Sequence, residues 1–365
     1  AASLVRTVDS FGWNLDGIWI VDLSEEFYRE AEEYTVFSPA EVEARPVWNR
    51  LHEVIDECNP RFLVVDSMTA FRFLAFSEYH YRKQLQYFIN MLNARGCTTL
   101  LLYDPEELHQ DNAPALAVDG ILSLHNQISE NKLVEIRTLE VNKLRGSSFL
   151  SGRHFMRITG RGICVWPHRI ETLNRFTYER QLLVSNVENL DSMLKGGLFS
   201  GTCTLLSGPA GVGKSTLAVQ YMVAAAQQGM RGVHYTFEEG VATILERCNS
   251  IGIPLEKYLE NGTIQVREIN PLEHHPDEFL ALMRQDCESG ASFFVIDSLR
   301  GFHLAMAEFG NMLIHIQNII NYVRKNRASL FIVNEQEKVT GDLQITDHGV
   351  SYAADNVLLL RYAEV

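Results

Sequence analysis

The chain lacks any apolar run approaching the ~20 residues that a bilayer-spanning helix needs, and its N-terminus lacks the basic-then-apolar pattern of a secretory signal. No membrane role is indicated. Positive charge is also scarce: 32 Lys and Arg stand against 46 Asp and Glu, a formal net charge of −14. Such a chain repels a polyphosphate backbone unless it carries a local basic stripe, and no Arg/Lys-rich loop with interleaved aromatics occurs. Nucleic acid becomes a runner-up partner. The six cysteines, Cys58, Cys97, Cys164, Cys203, Cys248 and Cys287, form no CxxC pair and have no His at zinc spacing. They read as free thiols of a reducing compartment, with the cytoplasm as the expected location. His274-His275 beside Pro276 has no carboxylate-His set around it and reads as a loop, not a metal site.

What is present is 365 residues, 46% hydrophobic and 21% charged, enough for two ordinary globular cores. The two halves resemble each other. Arg61-Phe62-Leu63-Val64-Val65-Asp66-Ser67-Met68 matches Ser292-Phe293-Phe294-Val295-Ile296-Asp297-Ser298-Leu299, a shift of 231 residues, and both are apolar strands ending in Asp-Ser. The same shift carries the segment 89–92 onto 320–323 and the strand 99–102 onto 330–333. Segments 2–12 and 118–122 echo 242–252 and 354–358 at slightly different offsets, so two copies of one fold are expected in tandem. The expected domains are 1–180 and 181–365, with the polar, Arg- and Glu-rich stretch 167–183 as linker.

In the second copy a short apolar strand, 202–206, precedes Gly208-Pro209-Ala210-Gly211-Val212-Gly213-Lys214-Ser215-Thr216, and helical spacing of Leu217, Tyr221 and Ala225 follows. Strand, glycine-rich loop and helix in that order make a P-loop. Successive backbone N–H groups converge on phosphates at a helix N-terminus, whose dipole also favours negative charge. Lys214 is expected to reach the β and γ phosphates and Ser215 to offer its hydroxyl to Mg²⁺, which makes ATP the expected ligand. Further strands at 233–237, 293–296 and 330–333 and helices at 214–228, 277–289 and 312–324 predict an α/β fold with a mostly parallel sheet covered by helices on both faces.

Asp297 ends its strand at the edge where ligands bind such sheets, so it is expected to hold Mg²⁺ as a Walker B aspartate. Glu238 and Glu239 end the strand 233–237, and one of the pair is expected to act as general base on the attacking nucleophile; the spacing leaves open which. Asp66 ends the matching strand of the first copy, which has no phosphate loop within this chain. The aromatic-rich run 79–88 is expected to be a helix packing its apolar face.

The P-loop, Phe237-Glu238-Glu239, Val295-Ile296-Asp297-Ser298 and the duplication together resemble the KaiC family, circadian-clock ATPases of the RecA superfamily. The resemblance implies two tandem RecA-like domains, the first without its Walker A loop here, and a chain trimmed at both ends: a first P-loop upstream of Ala1, and the cations completing the Lys214 site beyond Val365. Asn142-Lys143-Leu144-Arg145-Gly146-Ser147-Ser148 is similar to a family segment that reaches a neighbouring subunit's nucleotide, which implies trans-acting roles for Lys143 and Arg145. Residues two apart on a strand point the same way. The resemblance further implies a hexameric ring, regulatory protein partners, and autophosphorylation in a segment that here reads Ile345-Thr346-Asp347-His348-Gly349-Val350-Ser351-Tyr352. Ser351 matches the family's serine, whereas Tyr352 replaces a threonine, and its hydroxyl lies several ångströms further from the backbone. The competing expectations are a RecA-type DNA-dependent ATPase, equally compatible with the fold, and a non-hydrolysing nucleotide-dependent assembly module.

Overall fold

The structure, a computed structural model, describes residues 2–24, 46–73, 75, 77–104, 113–129, 133–169, 171, 181–270, 273–336 and 350–362. The chain divides into two compact units, one of residues 1–125, 139–153 and 157–164, the other of 126–138, 154–156 and 165–365.

The first unit holds helices α1 (Ala2–Phe11), α2 (Pro46–Cys58), α3 (Met68–Phe73), α4 (Glu78–Ala94) and α5 (Ala113–Ala117), with strands β1 (Phe62–Val65) and β2 (Thr98–Leu101). Ser77 caps α4 by accepting from the His80 N–H, and the helix buries Tyr81, Leu85, Phe88, Ile89 and Leu92. The aromatic run thus packs as expected, although Tyr79 and Tyr87 face solvent. Strands β1 and β2 are parallel, with Phe62 opposite Thr98 and Val65 opposite Leu101. Strands β3 (Gly120–Ile128), β4 (Glu135–Leu144), β5 (Arg153–Thr159) and β6 (Gly162–Trp166) form a separate four-stranded sheet in chain order.

The second unit includes a two-stranded ribbon of β7 (Leu182–Leu183) and β8 (Leu198–Phe199), with α6 (Glu188–Met193) between them in sequence. There follow β9 (Cys203–Gly208), α7 (Lys214–Gln227), β10 (Arg231–Thr236), α8 (Val241–Ser250), α9 (Leu255–Glu260), β11 (Ile264–Glu268), α10 (Pro276–Glu288), β12 (Ala291–Asp297), α11 (Leu299–Met306), α12 (Met312–Lys325), β13 (Ser329–Glu335) and β14 (Asn356–Leu359). Six strands make one parallel sheet in the order β11-β10-β12-β13-β9-β14. Its central strands are buried along nearly their whole length, which is why their sequences run apolar instead of alternating. Phe293, Val295, Phe331 and Val333 lie in one core with Val219, Met222 and Val223 of α7; Phe294, Ile296, Leu330 and Ile332 lie in the other with Phe279, Ile316 and Ile320.

The repeat is visible in the register. Phe293 pairs with Ser329 and Ile296 with Ile332, the β1–β2 pairing displaced by 231 residues. The Asp66–Ser67 and Asp297–Ser298 peptide bonds are both cis.

Of the stretch 167–183 expected to be a linker, residues 170 and 172–180 lie outside the described residues. Glu171 is buried and bonded to Arg284 at 2.8 Å and Lys325 at 3.0 Å, while His168 Nδ1 lies 2.9 Å from Asp277. Glu171 and His168 thus pair onto α10 and α12. His275 likewise belongs to a helix start: it caps α10 in a capping box with Glu278, and its ring stacks on Phe155 at 4.2 Å between centroids.

Candidate nucleotide-binding site

Strand β9 sits in the sheet between β13 and β14, so the chain leaving its carboxyl end emerges beside the ends of β12 and β13. That edge is where doubly covered parallel sheets place their ligands. The backbone must turn back at once into α7, and Gly213 does so with φ +96°, a left-handed conformation that most side chains resist. Gly208 is required for a different reason: a Cβ there would lie 2.5 Å from the Leu360 carbonyl oxygen. Tyr362 donates its hydroxyl to the Ala210 carbonyl at 2.9 Å, fastening the loop to the chain after β14.

One cleft gathers Lys214, Ser215, Glu238, Glu239, Asp297 and Glu335, along with Arg247 and Ser298. Lys214 is buried, with Nζ 2.7 Å from the Pro209 carbonyl. Burial depresses its ammonium below the usual lysine range, and the carboxylates of Glu335, Asp297 and Glu238 oppose that shift. Burial pushes the Asp297 carboxyl up; the influence of His234, Ser215 and the Arg247 charge outweighs it and leaves the carboxyl below the usual carboxylate range.

The two glutamates have different surroundings. Glu239 takes both oxygens to Arg247 Nη1 at 2.7 Å, and its backbone N–H and carbonyl bracket the Thr236 hydroxyl. Glu238 accepts a hydrogen bond from the Ser298 hydroxyl at 2.8 Å and is exposed at the cleft. Gly301 leaves room for this pair, since a Cβ there would meet Phe237 Cβ at 2.5 Å and Glu238 Oε1 at 3.3 Å.

The residues present suit Mg²⁺. A serine hydroxyl and a carboxylate lining the same cleft, Ser215 and Asp297, supply the hard oxygen donors the ion prefers, and the remaining positions would belong to water and phosphate.

The family model described as the KaiC ATPase matches residues 1–170 and 183–365. The chain belongs to the KaiC ATPase family. Among its relatives are circadian clock oscillator proteins KaiC. That of Prochlorococcus marinus (strain MIT 9313) is 25% identical over 386 residues, with 100% of this chain and 73% of the relative covered. That of Parathermosynechococcus lividus is 24% identical over 379 residues, covering 100% and 68%. KaiC 1 of Synechocystis is 23% identical over 380 residues, covering 100% and 70%.

Within this KaiC-family chain the structure brings together the loop Gly208, Ala210, Gly211, Val212, Gly213 and Lys214 with Ser215, Thr216, Asp297, Glu238 and Glu239 in the second unit. Lys143 and Arg145 lie in the first unit. There they do point the same way: Lys143 Nζ donates to the carbonyls of Ala115 at 2.6 Å and Val118 at 2.7 Å, and Arg145 to that of Leu116 at 3.0 Å. Both cations thus sit at the negative C-terminal end of α5. Ser351 and Tyr352 lie on the 3₁₀ turn Val350–Tyr352, with Tyr352 95% exposed. The preceding Ile345-Thr346-Asp347-His348-Gly349 lies outside the described residues.

Three contributors escaped the sequence reading. Glu335 carried a usable signal, because it stands two residues past the expected strand 330–333, at the same sheet edge as Asp297. Arg247, on α8, looks like any charged residue of an amphipathic helix. Ser298 was noticed only as part of the repeated Asp-Ser.

Proposed function

We propose that the cleft binds ATP with Mg²⁺ and hydrolyses the γ-phosphoryl bond, with Glu238 as the base that activates the attacking water. The observation carrying this is the unequal engagement of the two glutamates: Arg247 holds Glu239 through both oxygens, while Glu238 shares only a hydroxyl hydrogen bond and faces the cleft. A carboxylate committed to a guanidinium through both oxygens is less free to engage a water than one sharing a single hydroxyl hydrogen bond. Backbone N–H groups of 211–214 and the Lys214 ammonium would bind and orient the phosphates, and Ser215 and Asp297 would hold Mg²⁺, which neutralises charge on the β and γ oxygens when bound. Glu238→Gln is expected to slow phosphate release by about 100-fold, as loss of a general base does, and Glu239→Gln by less than about tenfold. Equal release from the unsubstituted chain and both variants would remove Glu238 from this role.

A second reading, regulatory serine/threonine autokinase activity within a hexameric ring as in a clock oscillator, is favoured by Ser351 on a turn just ahead of β14. In that reading Ser351 Oγ takes the γ-phosphoryl group, ADP leaves, and the serine proton passes to the base; Lys143 and Arg145 would exchange the α5 carbonyls for a neighbouring subunit's nucleotide.

A further inference from the structure

His234 lies in the middle of β10, fully buried, opposite Val295 of β12. Directly opposed residues share a sheet face, so His234 faces the α7 side along with Val295, as do Thr236 and its partner Asp297. His234 and Asp297 are then diagonal neighbours, a spacing that long side chains span. The imidazole Nε2 stands 3.5 Å from Asp297 Oδ2, slightly beyond a well-formed hydrogen bond. Among the described residues neither ring nitrogen has a hydrogen-bond partner of ordinary geometry. A buried imidazole inside an apolar sheet is costly, and a valine or leucine would fill the position without that cost.

A neutral imidazole carries one N–H and one lone pair, and its tautomer follows the hydrogen bonds available to each nitrogen. An acceptor stands near Nε2 and none near Nδ1, so the proton belongs on Nε2, directed at Asp297. Ser215 lines the same cleft as that carboxylate.

We infer that His234 is a positioning residue for the metal site, its Nε2–H fixing the Asp297 carboxylate from inside the sheet so that the carboxylate presents a defined oxygen toward Ser215 and the bound divalent cation. Groups standing behind a metal ligand set its orientation, and their removal costs about 10–100-fold in metal affinity or activity. The inference rests on Asp297 being the metal carboxylate of the proposed ATP site. His234 itself touches neither cation nor nucleotide.

The test uses the full chain, a non-hydrolysable ATP analogue and Mn²⁺ as a spectroscopic substitute for Mg²⁺, with free Mn²⁺ read by electron paramagnetic resonance. His234→Phe keeps a flat ring of similar volume and removes the donor; His234→Gln keeps a donor. The expected result is Mn²⁺ binding weakened at least ~tenfold in His234→Phe and within about threefold of the unsubstituted chain in His234→Gln. Binding of the analogue in EDTA should be the same in all three, since a phosphate loop disturbed by misfolding would lower it. Mn²⁺ binding by His234→Phe as tight as by the unsubstituted chain overturns the inference, as does a His234→Gln chain no tighter than His234→Phe. If His234→Phe does not fold, His234→Leu removes the donor with a smaller side chain and is held to the same criterion. Failure of the unsubstituted chain to bind Mn²⁺ with the analogue would strike the proposed ATP site itself.

Discussion

Lys214 illustrates how one residue can act on folding and on ligand binding with opposite sign. Burial lowers its folded-state pKa below the ordinary 10.5, and Glu335, Asp297 and Glu238 only partly offset this. The unfolded chain therefore binds more protons between the lowered value and 10.5, so this group's contribution to folding stability rises as pH rises through that window. ATP affinity should move the other way, because the phosphates need the charged ammonium. Titration with a fluorescent ATP analogue from neutral pH to 10.5 should show affinity falling before an ordinary lysine would titrate. Lys214→Arg, whose guanidinium stays charged, should bind more weakly at neutral pH yet lose this alkaline decline. An affinity flat up to 10.5 would contradict the argument. At this scale the sequence was most legible where chemistry is local: Lys214, Ser215 and Asp297 were readable because a loop motif and a strand end fix their surroundings. Arg247 and His234 were not, since their partners Glu239 and Asp297 are brought to them by turn geometry and strand pairing.

At the scale of elements, the duplication supplies an internal control. Phe293, Val295, Phe331 and Val333 are essentially inaccessible in the core that contains α7, whereas their counterparts Phe62, Val64, Leu100 and Leu102 are 76%, 59%, 55% and 42% exposed. The same pattern of side chains therefore has two energetic values. Phe331→Ala should cost about 3–5 kcal/mol as a buried large-to-small change, and Leu100→Ala less than about 0.5 kcal/mol as a surface one. Denaturant unfolding followed by a probe in each unit would check both, and a large loss for Leu100→Ala would mean that its face is covered in solution. The strands 293–296 and 330–333 were legible as apolar runs punctuated by an acid, and α7 as a helix to within a residue. The order of the strands was not. That β9 lies between β13 and β14 depends on two pairings, both more than a hundred residues apart, which no local pattern encodes. Burial of a single polar residue is hidden from sequence for a related reason: Glu171 looks solvated, and only the arrival of Arg284 and Lys325 makes its burial tolerable.

For the whole molecule, family membership is firm while the finer activities of the relatives are open to test. Incubating the chain with ATP and Mg²⁺ and mapping phosphate by mass spectrometry should find it on Ser351 and not on Tyr352, if the autokinase reading holds. ATP turnover with no phosphate on either residue would reject that reading and leave the ATPase standing. Size-exclusion chromatography with light scattering, on the same samples, should show six-subunit particles in ATP and fewer without it. Asp66 directly follows β1, whereas Asp297 is still paired within the sheet, opposite Thr236 on one side and Val333 on the other.

The β1–β2 pair has a practical side as well. Among the described residues no third strand pairs with either edge of this parallel sheet, and it carries a row of exposed aliphatic and aromatic side chains. Edges and surfaces of that kind recruit strands from other molecules. The chain's shelf life at high concentration should accordingly be governed by its first unit, with clumping that nucleotide does not prevent and that charged substitutions at Phe62 or Val64 relieve.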